Sequence, residues 1–229
     1  MLFRSAACAS SLYALRIACD QLHDGDADLV LCGAANRADD LFLHGGFTAL
    51  KALSRTGRSR PFHRDADGLL PAEGAAFVVL KRLEDAEQAG DHILGVVRAV
   101  GLSNDGRSGG LLVPAAAGQV RAMEAAYVQA GLDPADVSLV ECHATGTAVG
   151  DREEIVSMAR VFGAGRSLPI GSHKSNMGHL ITAAGMAGLL KALGAIEHRT
   201  RPPTVHADDP IPELTETTDF RLLTKAEAW

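Results

Sequence analysis

Residues Val137 to Asp151 read V-S-L-V-E-C-H-A-T-G-T-A-V-G-D. The first six form an apolar-rich run of the length of a buried strand. A histidine follows, and then a crowd of small, polar and glycine residues. Beyond it Ile155, Met158, Ala159 and Phe162 recur at helical spacing, with Gly163 as a stop. Strand, polar turn and helix is the repeating unit of an α/β sheet. Such a unit delivers a side chain, here His143, at the carboxyl end of a strand, where sites collect in open α/β sheets.

The same alternation extends outward. Leu12, Leu15, Cys19 and Leu22 predict one helical face over Ala9–Leu22, with Gly25 as its C-terminal stop. Asp28–Gly33, Ala75–Leu80, Ile93–Val100, Leu168–Gly171 and Phe220–Thr224 read as strands. Val120, Met123 and Tyr127 predict a helix closed by Gly131, and His179 to His198 predicts a long helix rich in Ala and Gly. Arg37 to Leu70 reads as an irregular excursion holding a short helix, and Ser103 to Gly110 as a polar, glycine-rich loop. Pro202, Pro203, Pro210 and Pro212 predict extended loop. The expectation is an α/β fold with a mixed or parallel sheet, in two blocks, 1–90 and 91–229. The first helix has almost no lead-in and the chain stops just after a strand, so it reads as a piece of something larger.

Composition excludes whole classes. Of the 229 residues 47% are hydrophobic and 22% charged, an ordinary globular balance. No apolar run reaches the length of a membrane span. Met1 to Ala7 carries one Arg and no long apolar core, so it is no secretory signal, and the expected compartment is the cytoplasm. A net charge of -6 and 4% aromatics argue against nucleic-acid binding. Cys8, Cys19, Cys32 and Cys142 form no metal or disulfide spacing and are expected as reduced thiols; no metal site is expected.

Three positions could carry chemistry. Cys8, in A-A-C-A-S-S, stands at a predicted helix start, where the dipole favours thiolate; the plainer alternative is a small buried residue. His143 follows a strand. His179, in K-S-N-M-G-H, opens the predicted long helix, where its charged form is disfavoured. A nucleophile with two histidines is a working constellation if the fold brings them together. Lys174 and Glu154 are expected to pair and brace the two histidine loops, against the commoner case of two solvated charges. Residues 51 to 64 hold five Lys/Arg and no acid, a patch suited to an anionic partner or simply a solvated loop.

At these residues the chain resembles the ketosynthase domain, the β-ketoacyl-acyl-carrier-protein synthase of the thiolase superfamily. A-A-C-A-S-S-L-Y-A is similar to its nucleophile motif, E-C-H-A-T-G-T-A-V-G-D to its first histidine motif, and H-K-S-N-M-G-H-L-I-T-A-A-G to its lysine-histidine motif. P-F-H-R-D-A-D-G-L-L-P-A-E-G resembles the connecting region. The likeness runs from about Ala6 to Trp229 and is nearest to ketosynthases of polyketide and polyunsaturated-fatty-acid synthases.

The resemblance implies a thiolase-like layered fold, α-β-α-β-α, of two related halves. The N-terminal half is expected to be incomplete and the C-terminal half to lack its last strand. It implies decarboxylative condensation of a Cys8-bound acyl chain with a malonyl-type extender, assisted by His143 and His179. Lys174 and Glu154 match the supporting pair, and Thr145 and Thr147 match threonines that contact the phosphopantetheine arm. It implies an acyl carrier protein as partner, bearing the phosphopantetheine, a homodimeric parent enzyme, and no cofactor bound by this chain. The alternatives are an incompetent fragment with a structural or docking role, and a thiolase-like acyltransferase using coenzyme A thioesters. Where the family has Asp before its nucleophile motif this chain has Ser5, and Met1–Ser5 matches nothing in the family.

Overall fold

Gly185 lets two helices touch: a Cβ there would lie 2.6 Å from Leu12 Cγ and 2.9 Å from Ser11 Oγ. These helices, α1 (Ser10–His23) and α7 (Ala184–Glu197), pack together in a computed structural model that describes residues 6–38, 41–106, 114–163, 165–217 and 219–229. After α1 the order is β1 (Val30–Asn36), α2 (Leu41–Ala49), β2 (Gly74–Leu80), α3 (Leu83–Ala89), α4 (Ala116–Ala130), β3 (Val140–Glu141) and α5 (Ala148–Phe162). Then come β4 (Leu168–Gly171), α6 (Lys174–Met177), α7 (Ala184–Glu197), β5 (Thr200–Arg201), α8 (Pro212–Thr215), β6 (Phe220–Leu222) and β7 (Glu227–Ala228). The α/β reading holds. β1 and β2 pair antiparallel from Val30↔Leu80 to Asn36↔Gly74. β3, β4 and β6 form a parallel sheet in that order, with β4 central. β5 and β7 make a short antiparallel pair.

Two larger apolar clusters hold the fold, and each draws residues from both ends of the chain. Leu15, Ala18, Cys32, Ala76 and Met186 join α1, the β1–β2 ribbon and α7. Phe62, Cys142, Ile155, Met158, Phe162, Ile170 and Phe220 join the parallel sheet to α5. Ile170, on the central strand, is fully buried, as a strand covered on both faces should be.

Several expectations shift. The buried face of α1 is Ser11, Leu15, Ala18 and Leu22, because the close approach of Gly185 seats a serine inside and leaves Leu12 half open. Ile93–Val100 forms no ladder among the described residues; Val97 and Val100 instead pack on the first core, and Arg16 donates to the Val100 carbonyl. The helix expected from His179 to His198 begins only at Ala184. Gly178 (φ 80, ψ -172) interrupts the chain between α6 and α7, and a 3-10 turn over Ile181–Ala183 leads into α7. Residues 107–110 of the expected glycine-rich loop, and Met1–Ser5, lie outside the described residues. All four cysteines are free. Among the described residues, no helix is long and apolar enough to cross a membrane.

Candidate active site

The turn carrying Cys8 is strained. Ala7 has φ 48, a left-handed conformation that costs a residue with a Cβ about 1–2 kcal/mol. Ser10 holds it there: the Ala6 N–H donates to Ser10 Oγ at 2.8 Å, and that hydroxyl donates to the Ala7 carbonyl at 2.6 Å. Ser11 Oγ accepts from the Met186 N–H at 3.0 Å and so ties the start of α1 to the start of α7. The two serines of A-A-C-A-S-S are thus structural, a role that spacing alone did not reveal.

His179 is set by the end of the 37–70 excursion. Its N–H donates to the Leu70 carbonyl at 2.7 Å, and its own carbonyl accepts from the Ala72 N–H at 2.9 Å. Gly178 is required here, because a Cβ would stand 2.7 Å from the Leu70 carbonyl oxygen. Ile181, with φ 45, donates its N–H to His179 Nδ1 at 3.2 Å. A neutral ring that accepts at Nδ1 carries its proton on Nε2. His179 Nε2 lies 3.0 Å from Cys8 Sγ, so it is an N–H donor aimed at the sulfur.

His143 leaves β3 on a loop held by two carboxylates. Glu154 accepts from the N–H groups of His143 (2.6 Å) and Ala144 (2.7 Å). Asp151 accepts from Phe62, Thr145 and Gly146. Gly146 sits at φ 81 with Arg60 and Gly68 backbone against it, which explains the T-G-T spacing. The His143 and His179 rings meet edge to face, with centroids 5.3 Å apart. Cys8 Sγ and a nitrogen of each ring lie within 4.8 Å of one another. That spacing is also within a metal's reach, but a His179 Nε2 that carries the proton has no lone pair for a metal.

Cys8 and His143 face a cavity of about 620 Å³, whose lining includes Leu12, Gly185, Glu141, His173 and Lys174, while His179 stands buried behind Cys8. His143 is exposed to it, yet burial by the surrounding mass, then Lys174, His179 and His173, holds its imidazole well below the usual histidine range. Both facts stand together because its exposed face meets a concave wall. His179 is pushed down to about 3 by burial, then by Lys174 and His173. Its neutrality therefore comes from burial and a neighbouring cation; the expected helix N-terminus is not there.

Burial likewise pushes the Cys8 thiol up, with Lys174 pulling it partly back. The expected thiolate-favouring dipole is outweighed: Cys8 precedes α1, and desolvation of the anion dominates. Lys174 is buried and pushed down by desolvation, while Glu154 and Glu141 oppose that shift. The expected Lys174–Glu154 contact is a correction. Among the described residues Lys174 makes no ion pair, because both Glu154 oxygens are spent on backbone amides; the two charges act through space. Thr145 and Thr147 share a 3.1 Å hydroxyl contact beside this loop and do not line the cavity.

Residues 1–86 match the family model for the beta-ketoacyl synthase N-terminal domain, and residues 94–208 match that for the C-terminal domain; the first match takes in Met1–Ser5, which corrects the expectation that these residues match nothing in the family. A phenolphthiocerol/phthiocerol polyketide synthase of Mycobacterium tuberculosis is 41% identical over 220 residues, 94% of this chain and 12% of that protein. A polyunsaturated fatty acid synthase of Thraustochytrium sp. is 39% identical over 90% of this chain and 8% of its own length. Among solved structures, a Streptomyces oxazolomycin ketosynthase domain superposes with TM-score 0.95 at 38% identity, over all of this chain and 40% of that one. The PfaC keto synthase-chain length factor gives 0.92 at 40% identity, over 98% of this chain and 24% of its own. The chain thus spans well under half of the proteins it matches, and its fold is the thiolase-like fold of those ketosynthases. Matched along both domain models and to these relatives, the chain belongs to the β-ketoacyl synthase family.

Proposed function

We propose that this chain carries the condensing centre of a β-ketoacyl synthase in polyketide or fatty acid biosynthesis. The observation that carries the reading is the Cys8–His143–His179 cluster, with Sγ 3.0 Å from an Nε2 donor and all three atoms within 4.8 Å. In the first half-reaction Cys8 sulfur attacks an acyl thioester; the S–C bond to the carrier thiol breaks, and the proton lost by Cys8 ends on that thiol. In the second, a malonyl-type thioester loses CO2, and the electron pair of the broken C–C bond becomes an enolate. The enolate carbon attacks the Cys8 thioester, forming a C–C bond and expelling the Cys8 thiolate. Neutral N–H donors suit the enolate oxygen, since they stabilise its charge without quenching it by protonation.

His143 and His179 fill that donor role, Lys174 supplies positive potential behind them, and Glu154 shapes the His143 loop. Thr145 and Thr147, whose hydroxyls meet at 3.1 Å on the His143 loop, are the residues we assign to contact with the pantetheine arm. The substrate carrier is an acyl carrier protein whose phosphopantetheine brings the thioesters, so no cofactor is bound by this chain. Lys51, Arg55 and Arg58 are exposed and suit the carrier's acidic surface. The parent enzyme is a cytoplasmic homodimer, and the halves of this chain part near Asp91.

Intact mass after incubation with an acyl-carrier thioester tests the reading. The expected result is one acyl group per chain, absent in Cys8→Ala. No acylation in a folded chain overturns it and favours a docking fragment. Replacing Arg55 and Arg58 by Glu is expected to weaken carrier binding and spare iodoacetamide reactivity.

A further inference from the structure

We infer that Glu141 is a positioning residue for the decarboxylation step proposed above, locking together the segments that carry His143 and Lys174 and tying both to α7, the helix that follows His179. Glu141 ends β3, two residues before His143. Its Oε1 accepts from the His173 backbone N–H at 2.6 Å and from His173 Nδ1 at 2.8 Å. That grips the chain at the residue before Lys174. Its Oε2 takes Lys191 Nζ at 2.7 Å, from the α7 helix that follows His179. Gly188 on α7 makes room for the contact: a Cβ there would stand 3.2 Å from Glu141 Cγ.

The network lies against the cavity that holds Cys8, since Glu141 and His173 both line it. It differs from the Glu154 brace, which holds only the His143 loop. Burial pushes the Glu141 carboxyl up, but the bonds from His173 and the charge of Lys191 outweigh it and hold the group ionised. Glu141 therefore also acts on Lys174 through space, opposing, after Glu154, the downward pull of burial on that ammonium. Cys142, His143 and Lys174 are the remaining titratable groups around it. An ionised carboxylate can only accept, so Glu141 fixes the proton of the neutral His173 ring on Nδ1. His173 Nε2 has no protein partner among the described residues, so the bond to Glu141 is what selects the tautomer. The Cys8–His179 contact is fixed separately, by Leu70, Ala72 and Ile181 backbone.

The test uses Glu141→Gln, which keeps the shape and removes the charge, with Lys191→Met to cut the α7 tie alone. Acylation of Cys8 by a hexanoyl thioester of N-acetylcysteamine and CO2 release from the malonyl thioester are measured separately, and the His173 ring is followed by 15N NMR. The expected result is that CO2 release falls about tenfold more than acylation, as sub-ångström misplacement of reacting groups predicts. His173 should lose its fixed Nδ1–H tautomer in Glu141→Gln, and Lys191→Met should lie between that variant and the parent chain. Parallel loss of both activities with the melting temperature, or an unchanged ring and unchanged CO2 release, overturns the inference. If the parent chain shows neither activity, the condensing reading fails. The 15N signals still decide the positioning: a tautomer indifferent to Glu141 overturns it.

Discussion

Ile181 donates its backbone N–H to His179 Nδ1, and it does so from a φ of 45 that a β-branched residue rarely adopts. Strain of about 1–3 kcal/mol is thus stored where it fixes a tautomer. The consequence is that Nε2–H points at Cys8 Sγ whatever the solution pH, down to the acid at which the ring charges, about 3.

The first prediction concerns that ring. The fold depresses the His179 pKa, so its charged form is disfavoured in the folded state. Stability is then lost as pH falls from the unfolded value near 6.5 towards 3, and is whole above 6.5. Cys8 alkylation by iodoacetamide should rise only on the alkaline side and show no inflection near 6.5. A step there would mean that the ring titrates in place. His179→Ala should lower CO2 release from the malonyl thioester about 100- to 1000-fold, the usual loss for one oxyanion donor.

A second prediction follows from the cation behind the site. Lys174 pulls the Cys8 thiol down against burial. Lys174→Met keeps the length and removes the charge. Cys8 alkylation at pH 8 should then slow, by about tenfold for each unit its pKa rises. The same variant should unfold at a higher temperature, because it removes a buried ammonium that has no direct ion pair among the described residues. Faster alkylation in Lys174→Met would reverse the assigned sign.

Much of this was legible in the residues themselves. The strand–turn–helix around His143 and the three short motifs pointed to Cys8, His143 and His179, whose reactive atoms the fold brings within 4.8 Å of one another. What stayed hidden depends on close approach between distant segments. Nothing local marks Glu141 as the partner of Lys191, fifty residues on, or Asp151 as the acceptor for Phe62. The helix thought to begin at His179 misled because Gly178 looks like one more small residue in a Gly- and Ala-rich run. Only the neighbouring Leu70 carbonyl shows why the chain turns there. The Cys8 pKa went the other way because a helix start suggests a dipole, whereas burial is a property of the assembled fold.

A third prediction separates two glycines of one helix. Gly185→Ala puts a methyl 2.6 Å from Leu12 Cγ and 2.9 Å from Ser11 Oγ, the hydroxyl that receives the Met186 N–H. Overpacking of this kind costs about 1–3 kcal/mol. Gly194→Ala meets nothing within 4 Å and should stabilise by about 0.5–1 kcal/mol through helix propensity. Urea denaturation of both variants reads the difference directly. Equal shifts in the same direction would mean that α1 and α7 are not packed as described.

The last prediction concerns Asp151, which is fully enclosed and accepts the N–H groups of Phe62, Thr145 and Gly146. Burial, reinforced by Glu154, lifts its pKa to about 7 against the pull of those amides. The folded value exceeds the unfolded one, so this carboxyl's contribution is fully present below about 3.8 and declines as pH rises through 7. Asp151→Asn removes that dependence but turns an NH2 towards amide donors, a loss of about 1–3 kcal/mol at any pH. The variant should therefore be clearly weaker than the parent chain at pH 5, with the gap narrowing by up to about 1.4 kcal/mol per unit towards pH 7. Unfolding free energies of the two at pH 5, 6, 7 and 8 give the slope. A gap that widens with pH would show Asp151 to be held ionised by its three amides, so that its anion stabilises the loop between His143 and α5.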